Sequence, residues 1–546
     1  MADAIQGNTG KTGPTPDDGL RIAENEDADG RMIAADGTPL KRSLQRSLRR
    51  QKIRALLLIA PLLIFVLVTF IAPIADMLFR SVENDIVAET LPRTVAALDE
   101  WDYQQGGDAP DEDVFAAFYY DLVVAAEAKT HTRLGSRLNY ETTGISSLFR
   151  KSGRRADRLD TDIYTEQFTA LDPAWESPAT WIALTDALAD GRAETLPETQ
   201  SAWQGFARIV ELDGDDIAEE QPWDFVYTAL YRDLAANGAP GNLDGATGAL
   251  VTAAAQAVPE FETVSIRDQF VDVDDDWLDP EVWGTIKAYS GEFTPGYFLN
   301  SVDYQLTPAG VEPQPDDQAI YILLFKRTLF MSLMITVSCI ALGYPVAWLL
   351  ANIKARHANL LLILVLLPFW TSLLVRTSAW KILLQQQGVI NDILVWIGII
   401  GDGNRLVMIN NQFGTIVAMT HILLPFMILP LYSVMQTIPP SYLRAAKSLG
   451  ANNWTAFWRV YFPQSVPGIG AGSILVFILA IGYYITPELV GGTTGTFISN
   501  RIAYHISSSL NWGLAAALGT ILLGVVLLLY WVYDRIVGID NVKLGG

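Results

Sequence analysis

The sequence predicts an all-α membrane protein with six transmembrane helices and a large, mainly helical extracytoplasmic insert between the first and second helices. Half of the 546 residues are hydrophobic, yet the formal net charge is −22. These two properties separate along the chain, because the apolar residues form six long stretches and most acidic residues fall between the first two of them. Basic residues cluster near the ends of the apolar stretches, as is typical beside membrane spans.

The apolar stretches cover residues 55–79, 328–352, 360–380, 413–434, 469–484 and 514–537. A helix rises 1.5 Å per residue, so the first stretch would be roughly 37 Å long, enough to cross a bilayer with some tilt. Six such lengths exceed what the core of an ordinary soluble protein needs. We therefore predict six membrane spans.

The orientation follows from the basic residues, which favour the cytoplasmic side. The segment before the first span contains Lys41, Arg42, Arg46, Arg49, Arg50, Lys52 and Arg54. With six spans, the loop 354–356, the loop 436–468 and the C-terminus, with Arg535 and Lys543, fall on the same side. Lys326 and Arg327 go against the rule. We expect a multi-pass protein of the cell inner (plasma) membrane with both termini in the cytoplasm.

These features divide the chain into parts. Residues 1–54 form a cytoplasmic tail that we expect to be disordered, with a basic end beside the membrane, and residues 55–79 form the first span. Residues 80–320 form the acidic insert, called the insert below. Residues 321–546 contain spans two to six and the loop 436–468.

The insert contains a repeated pattern. Gln167, Phe168, Asp172, Trp175, Pro178 and Trp181 recur at the same spacing as Gln269, Phe270, Asp274, Trp277, Pro280 and Trp283. Looser matches join Thr90-Leu91-Pro92 to Thr195-Leu196-Pro197, and the segment 115–122 to 227–234. We interpret the insert as two similar, mainly helical halves. The acidic run 272–279 lacks the glycine and terminal glutamate of a calcium-binding loop, which favours a solvated acidic face.

Several classes of site are excluded by the composition. Cys339 is the only cysteine, so no disulfide can form within one chain, and the four histidines lack the spacing of a metal site. The segment 7–12 resembles part of a phosphate-binding loop, but Ile5 stands where the pattern needs glycine. We therefore expect no metal, no catalytic residues and no ATPase site in this chain. Its acidity also argues against nucleic acid as a partner.

The loop 436–468 carries the most informative pattern. Pro439 and Pro440 suit the start of a helix, Ala445 and Ala446 favour helix, and Gly450 suits a left-handed helix end. The pattern predicts a short cytoplasmic helix over this segment and a second short helix over 453–460. An amphipathic helix resting on the membrane is the alternative interpretation.

Ala445-Ala446, Gly450 and, after nine intervening residues, Val460 to Pro463 resemble the "EAA" loop of ABC-importer permeases. Arg444 stands where that family usually has glutamate, Val460 where it has isoleucine and Phe462 where it has leucine. Segments 367–372, 388–391 and 483–487 resemble the spermidine/putrescine branch. The resemblance implies a type I importer fold with residues 321–546 as the permease core.

The same resemblance implies how the protein works and with which partners. It implies a second permease subunit, two ATPase subunits that bind ATP, an extracytoplasmic solute-binding protein and a lipid bilayer around the spans. It implies no cofactor in this chain. The residues that would contact the ATPase are Ser441, Tyr442, Leu443, Arg444, Ala445, Ala446, Lys447, Gly450 and Pro463.

Polar groups within spans are costly and commonly face a cavity, so they are candidates for a solute pathway. These are Asp76, Arg376, Tyr483, Tyr484 and Glu488, with His421 as a further polar group. Carboxylates and aromatic faces would suit a polyamine. The carboxylates could instead meet water at the outer ends of spans, the tyrosines could belong to an interfacial aromatic belt, and Arg376 could anchor a helix end.

Two other classes of function remain as alternatives. A secondary transporter would need no ATPase, but it normally shows inverted repeats and ion-coupling residues near the midplane. A membrane-anchored receptor would act through the insert, whose acidity could steer a basic partner or concentrate a cationic solute.

Overall fold

A computed structural model describes residues 40–189, 196–243 and 245–537 of the protein. The chain divides into two compact units, Met1–Met77 and Leu78–Gly546. Most of the predicted tail, 1–39, lies outside the described residues, as do Thr195 and Lys543. In the first unit the helix begins at Leu40, so the basic end of the predicted tail is helical and continuous with the first span.

The structure is mostly helical. In chain order, the α-helices are α1 Leu40–Val66, α2 Ala72–Arg80, α3 Ile86–Thr90, α4 Pro92–Leu98, α5 Glu112–Glu127, α6 His131–Leu138, α7 Ile145–Gly153, α8 Asp162–Leu171, α9 Pro178–Ala189, α10 Pro197–Asp213, α11 Asp224–Asn237, α12 Gly245–Ala257, α13 Ile266–Val273, α14 Pro280–Ala288, α15 Gly296–Asn300, α16 Tyr321–Asn352, α17 Ala355–Leu366, α18 Leu373–Leu383, α19 Val389–Trp396, α20 Gln412–Thr437, α21 Pro440–Ser448, α22 Asn453–Ala456, α23 Phe462–Gly482, α24 Ile485–Val490, α25 Gly492–Gly495, α26 Ile498–Ser507 and α27 Trp512–Val537.

Short 3₁₀ and π segments and one hairpin complete the fold. The 3₁₀ turns are Ala156–Arg158, Pro173–Glu176, Val258–Glu260, Asp275–Leu278, Leu367–Trp370 and Asp402–Asn404, and the π turns are Leu67–Ile71 and Phe457–Tyr461. The antiparallel hairpin joins β1 Tyr304–Thr307 to β2 Gly310–Pro313, with Thr307 opposite Gly310. The all-α prediction missed this hairpin, in which the tight turn uses the positive φ of Gly310, +129°.

Five helices of the described chain are long and apolar enough to cross a membrane: Gln51–Arg80, Tyr321–Asn352, Gln412–Thr437, Asn453–Gly482 and Trp512–Arg535. The predicted span 360–380 is not one straight helix. It is a pair, Ala355–Trp370 and Leu373–Leu383, bent by 94°. Pro368 cannot donate a backbone hydrogen bond, and Thr371 is extended, which breaks the helix there.

The predicted second short helix, 453–460, is also different in the structure. It does not end before the fifth span, because α22, the π turn Phe457–Tyr461 and α23 form one continuous helical run. Asn452 caps its start by accepting a hydrogen bond from the Thr455 amide at 2.8 Å. The π turn accommodates the junction without breaking the helix, and Trp458 packs against Phe462 with ring centroids 4.8 Å apart.

In the second unit, α16, α20 and α23 pack against one another as the centre of the membrane bundle. Their shared core contains Met331, Ile335, Cys339, Met427 and Val476, all fully buried. Gly472 allows the close approach of α23 to α20, since a Cβ there would lie 2.6 Å from the sulfur of Met427. Small residues at helix contacts are typical of membrane bundles, where packing rather than the hydrophobic effect holds helices together.

The matched segments of the insert have the same local structure. Both consist of a helix, a 3₁₀ turn and a second helix: α8, Pro173–Glu176 and α9 in one half, and α13, Asp275–Leu278 and α14 in the other. Asp172 and Asp274 each cap the 3₁₀ turn through a backbone amide. Trp181 Nε1 donates to the Trp175 carbonyl at 2.8 Å, and Trp283 Nε1 donates to the Trp277 carbonyl at 2.9 Å.

The looser sequence matches also correspond in the structure. Thr94 donates from its amide and hydroxyl to one oxygen of Asp121, both at 2.8 Å. Thr199 does the same to Asp233, at 2.7 and 2.6 Å. Burial raises the pKa of Asp121 to about 6 and that of Asp233 to about 6. In each half, a buried carboxylate therefore accepts hydrogen bonds from the start of a helix: α4 in the first half and α10 in the second.

Each half completes the core of the other. The tryptophan pair of the first half packs against the second half, with Trp181 and Tyr227 rings 4.9 Å apart. The pair of the second half packs against the first, with Trp283 and Phe115 rings 4.8 Å apart. An isolated antiparallel bridge between Glu83 and Phe293 joins the start of the insert to the segment that follows α14.

One difference between the halves predicts a stability change. Trp277 Nε1 donates to Ser152 Oγ at 2.9 Å, whereas the equivalent Trp175 Nε1 is buried without a partner among the described residues. The repeat register places Ala254, fully buried, where the other half has Ser152. We expect Ala254→Ser to stabilise the insert by about 1 kcal/mol, because it supplies the missing acceptor.

The thermal midpoint, followed by tryptophan fluorescence, measures this effect. Ser152→Ala is the matched control and should destabilise the insert by about 1–2 kcal/mol, since it leaves Trp277 Nε1 without a hydrogen-bond acceptor. A lower midpoint for Ala254→Ser would contradict the equivalence of the two positions.

Candidate functional site

The predicted short helix of the loop 436–468 is present as α21. It begins with Pro440 in its first turn, preceded by the extended Pro439, and it ends at Ser448. Gly450 donates to the Lys447 carbonyl at 3.0 Å, and Ala451 donates to the Ala446 carbonyl at 3.1 Å. This pair of bonds, with Gly450 at φ +89°, is a Schellman motif. Both ends of α21 are therefore defined by its own sequence.

Most of the predicted contact residues on α21 face outward. Ser441, Tyr442, Arg444, Ala445 and Lys447 are exposed, as are Gly450 and Pro463. Ala446 is half-buried, and Leu443 is half-buried against the core of the membrane bundle. Leu443 therefore holds α21 on the bundle while the other side chains stay accessible.

Two apolar side chains next to α21 were not among the predicted contact residues. Leu449 is 89 % exposed and Trp454 is 72 % exposed. Leu449 directly precedes the left-handed Gly450, and Trp454 follows the Asn452 cap. Large exposed apolar side chains beside an exposed helix commonly mark a contact surface. Sequence reasoning could have found them. The chain changes direction at a helix-ending glycine, so an apolar residue beside that glycine no longer lies on the buried face of the helix.

All the charged residues in the sequence around α21 are basic. Arg444, Lys447 and Arg459 lie in this region, and the segment from 403 to 487 contains no Asp or Glu. The surface that α21 presents is thus cationic with apolar neighbours. Such a surface fits an acidic or polar groove with an apolar floor.

Tyr483, Tyr484 and Glu488 lie together where α23 ends and α24 begins. Tyr483 is extended, so the backbone leaves the helix. Ser499 donates to the Tyr483 carbonyl at 2.7 Å. Asn500 donates to the Tyr484 carbonyl at 2.9 Å and to Glu488 at 2.7 Å. Glu488 is therefore exposed yet held in place.

Ser499 and Asn500 are positioning residues that the sequence analysis missed. They belong to α26, at a distance along the chain from the tyrosines, and no local pattern connects them. Non-helical backbone at membrane depth needs such partners for its carbonyls, since lipid offers none. That requirement is the signal by which they could have been sought.

Arg376 lies on α18 and is half-buried. Its guanidinium is within electrostatic range of His421 on α20 and of Tyr483. Arg376 Nε and His421 Nδ1 are buried without hydrogen-bond partners among the described residues. Thr377 beside Arg376 shares a hydrogen bond with Thr486 of α24, 3.1 Å between the hydroxyls. Unsatisfied polar atoms inside a membrane bundle are costly.

The structure thus groups most of the predicted pathway residues. Arg376 interacts electrostatically with His421 and Tyr483, and Tyr484 and Glu488 lie close after Tyr483 in the chain. Asp76 lies in the first unit, on α2. Among the described residues, no group of three His, Cys, Asp or Glu side chains could hold a metal ion. In the acidic run 272–279, Asp274 and Asp279 cap helical segments.

The long apolar helices and the packed bundle of α16, α20 and α23 define a multi-pass membrane protein. The sequence profile described as "Binding-protein-dependent transport system inner membrane component" matches residues 327–537. The spermidine/putrescine transport system permease protein PotB of Salmonella typhimurium is 37% identical over 220 residues, which cover 40% of this chain and 76% of that protein. PotB of Escherichia coli is 36% identical over 220 residues, 40% of this chain and 79% of that protein.

A further relative is the inner membrane ABC transporter permease protein YdcU of Escherichia coli, 33% identical over 263 residues, 46% of this chain and 82% of that protein. A solved bacterial alginate ABC transporter is 20% identical with a TM-score of 0.35, over 41% of this chain and 81% of that chain. The chain belongs to the family of binding-protein-dependent inner-membrane components, the permease subunits of ABC importers.

Gly450 gives a direct test of the end of α21. A side chain at a positive φ costs about 1–2 kcal/mol, so Gly450→Val should open the Schellman bonds. We expect the Ala451 amide to exchange with deuterium about tenfold faster, since 1.4 kcal/mol is a tenfold change. Hydrogen exchange with mass spectrometry measures this rate. Gly450→Asn is the control and should have a smaller effect, because Asn tolerates this region; equal protection in Gly450→Val would contradict the assigned cap.

Proposed function

We propose that this chain forms the solute pathway of an ATP-driven importer whose solute is a polyamine or a similar small charged compound. The observation that carries the proposal is the 36–37% identity, over 220 residues, with permeases named for spermidine and putrescine. The pathway runs past the break between α23 and α24.

The chemistry of this break suits a small polycation. Glu488, held by Asn500, supplies a carboxylate, and Tyr484, 47 % exposed, supplies an aromatic face. Ammonium groups are attracted to both. Arg376 is cationic, so a polyamine would pass on the side of Tyr484 and Glu488, with Arg376 excluding it from the α18 side. Asp76 is a further proposed carboxylate of the pathway.

Coupling to ATP hydrolysis is proposed to occur through α21. This chain binds no cofactor of its own, and ATP is bound by separate ATPase subunits. The exposed side of α21 docks into the ATPase, with Leu449 as an apolar anchor and Arg444 and Lys447 beside it. Leu443 lies against the bundle core and transmits the movement to the membrane helices.

The complete importer in this proposal contains two permease subunits, two ATPase subunits and an extracytoplasmic solute-binding protein. The bent pair α17–α18 counts as the third of six spans. Both termini are then cytoplasmic, and the insert is extracytoplasmic, where it can meet the solute-binding protein. A secondary transporter or a membrane-anchored receptor remains the alternative, and neither would depend on α21.

The function is tested by reconstituting the chain with its co-purifying ATPase, permease and solute-binding partners in liposomes. We expect spermidine or putrescine to stimulate ATP hydrolysis several-fold and to accumulate inside. Ala446→Asp should abolish uptake while the ATPase remains folded, because it places an unpaired charge at the contact.

Ala446→Ser is the matched control, since it is small and uncharged, and it should retain most of the uptake. Normal uptake by Ala446→Asp would refute the docking role of α21. Uptake by this chain without any ATPase would instead establish the secondary-transporter alternative.

The topology is tested by single cysteines. Cys339 is fully buried, so the native chain should react little with the maleimide and give a low labelling background. We expect a membrane-impermeant maleimide to label Glu219→Cys, an exposed position of the insert, in intact spheroplasts. Asn453→Cys, exposed beside α21, should label only after permeabilisation. The reverse pattern would invert the proposed orientation.

A further inference from the structure

The insert carries a cavity that neither the fold nor the transport pathway explains. Its volume is about 500 Å³, and it is lined by Lys151, Arg154, Arg155, Arg158 and Val273. The cations come from the end of α7 and the following 3₁₀ turn Ala156–Arg158. We call it the cationic cavity. It is conspicuous because the insert as a whole is acidic.

The positive charge of the cationic cavity is only partly neutralised. Lys151 forms an ion pair with Asp274. Arg158 has Asp157 at 3.9 Å, and both side chains are more than 70 % exposed, so this pair contributes little. Among the described residues, Arg154 and Arg155 have no carboxylate within ion-pair distance. At least two guanidinium groups therefore remain available to a ligand.

The repeat provides an internal comparison for this cavity. The register that pairs Trp175 with Trp277 also pairs the turn Ala156–Arg158 with the turn Val258–Glu260, and α7 with the end of α12. The buried positions correspond: Phe149 with Val251, Ser152 with Ala254, and Ala156 with Val258 are all at most 4 % exposed. The two segments therefore make the same type of core contact.

The outward positions differ. Lys151, Arg154, Arg155 and Arg158 correspond to Ala253, Gln256, Ala257 and Glu260. The second half builds the same helix and turn with no cation at any of these four positions. The architecture therefore does not require the cations.

A local stabilising role does not account for the cations either. Basic residues in the last turn of a helix interact favourably with its C-terminal dipole, which applies to Lys151 on α7. The dipole also favours Arg154, the C-cap residue of α7. Arg155 and Arg158 lie beyond it, and the dipole effect decays within the last turn, so the dipole does not account for all four cations. α12 ends without any basic residue in its last turn.

We propose that the cationic cavity binds a compact polyanion that carries several phosphate or carboxylate groups. Guanidinium groups bind such oxyanions through paired N–H donors, and four cations around one cavity favour a ligand with more than one anionic group. The ligand is either a soluble polyanion or the headgroup of an anionic lipid, which present the same oxyanion chemistry.

Binding is measured by calorimetry with the full chain in nanodiscs of phosphatidylcholine and inorganic tripolyphosphate as the probe. The test variant carries the residues of the second half: Lys151→Ala, Arg154→Gln, Arg155→Ala and Arg158→Glu. We expect its affinity to fall at least tenfold, and the salt dependence of binding to decrease with the lost charges. Arg208→Gln, an exposed arginine on α10 outside the cavity, is the control and should bind as the wild type does.

A second variant distinguishes a loss of binding from a loss of folding. Arg154→Gln with Arg155→Ala removes no ion pair and should weaken binding at least threefold with an unchanged thermal midpoint. Co-sedimentation with phosphatidylglycerol vesicles distinguishes the sources: vesicle binding that the four-residue variant loses identifies a lipid headgroup, and a response to tripolyphosphate alone identifies a soluble ligand. Equal affinity of the wild type and the four-residue variant, or no binding of either probe, would overturn the proposal.

Discussion

The antiparallel pairing of the start of the insert, residues 82–84, with residues 292–294 is the constraint on which the second unit depends. The Asn84 amide donates to the Glu292 carbonyl at 2.8 Å, and the Thr294 amide donates to the Val82 carbonyl at 2.8 Å. Asn84 Nδ2 adds a buried bond to the Tyr289 carbonyl at 2.6 Å. These bonds close residues 82–294, most of the insert, into a loop whose two ends are held together.

The insert is also fastened to the membrane bundle at defined points. Both carboxylate oxygens of Asp303 accept amides at the start of α16, Tyr321 at 2.7 Å and Ile322 at 2.9 Å. Tyr297 packs against Leu514 and Leu518 of α27, and Arg137 donates to its hydroxyl at 2.8 Å. A carboxylate at a helix start and an arginine on an aromatic face are strong local contacts. These contacts connect the insert to α16 and α27.

Much of this architecture could be predicted from local signals. Proline at the start and glycine at the end determine α21, and two tryptophans and a proline in constant register reveal the equivalent segments of the insert. Hydropathy located the apolar segment 360–380 but carries no information on the direction of a helix, so the 94° bend after Pro368 was missed. The π turn was missed because aromatic packing, not propensity, keeps that helix continuous. Asn500 and Ser499 were missed because their role is to satisfy carbonyls that are exposed only in the folded bundle.

The packing of aromatic residues of each half against the other half has a consequence for biosynthesis. Phe115 and Phe118 leave the ribosome well before Trp283 and Trp277, against which they pack at 4.8 and 4.5 Å. At 5–20 residues per second, the delay is on the order of ten seconds. During that time the nascent first half exposes an unfinished aromatic surface. A chain that stalls within the second half would therefore be a substrate for chaperones rather than a smaller folded domain.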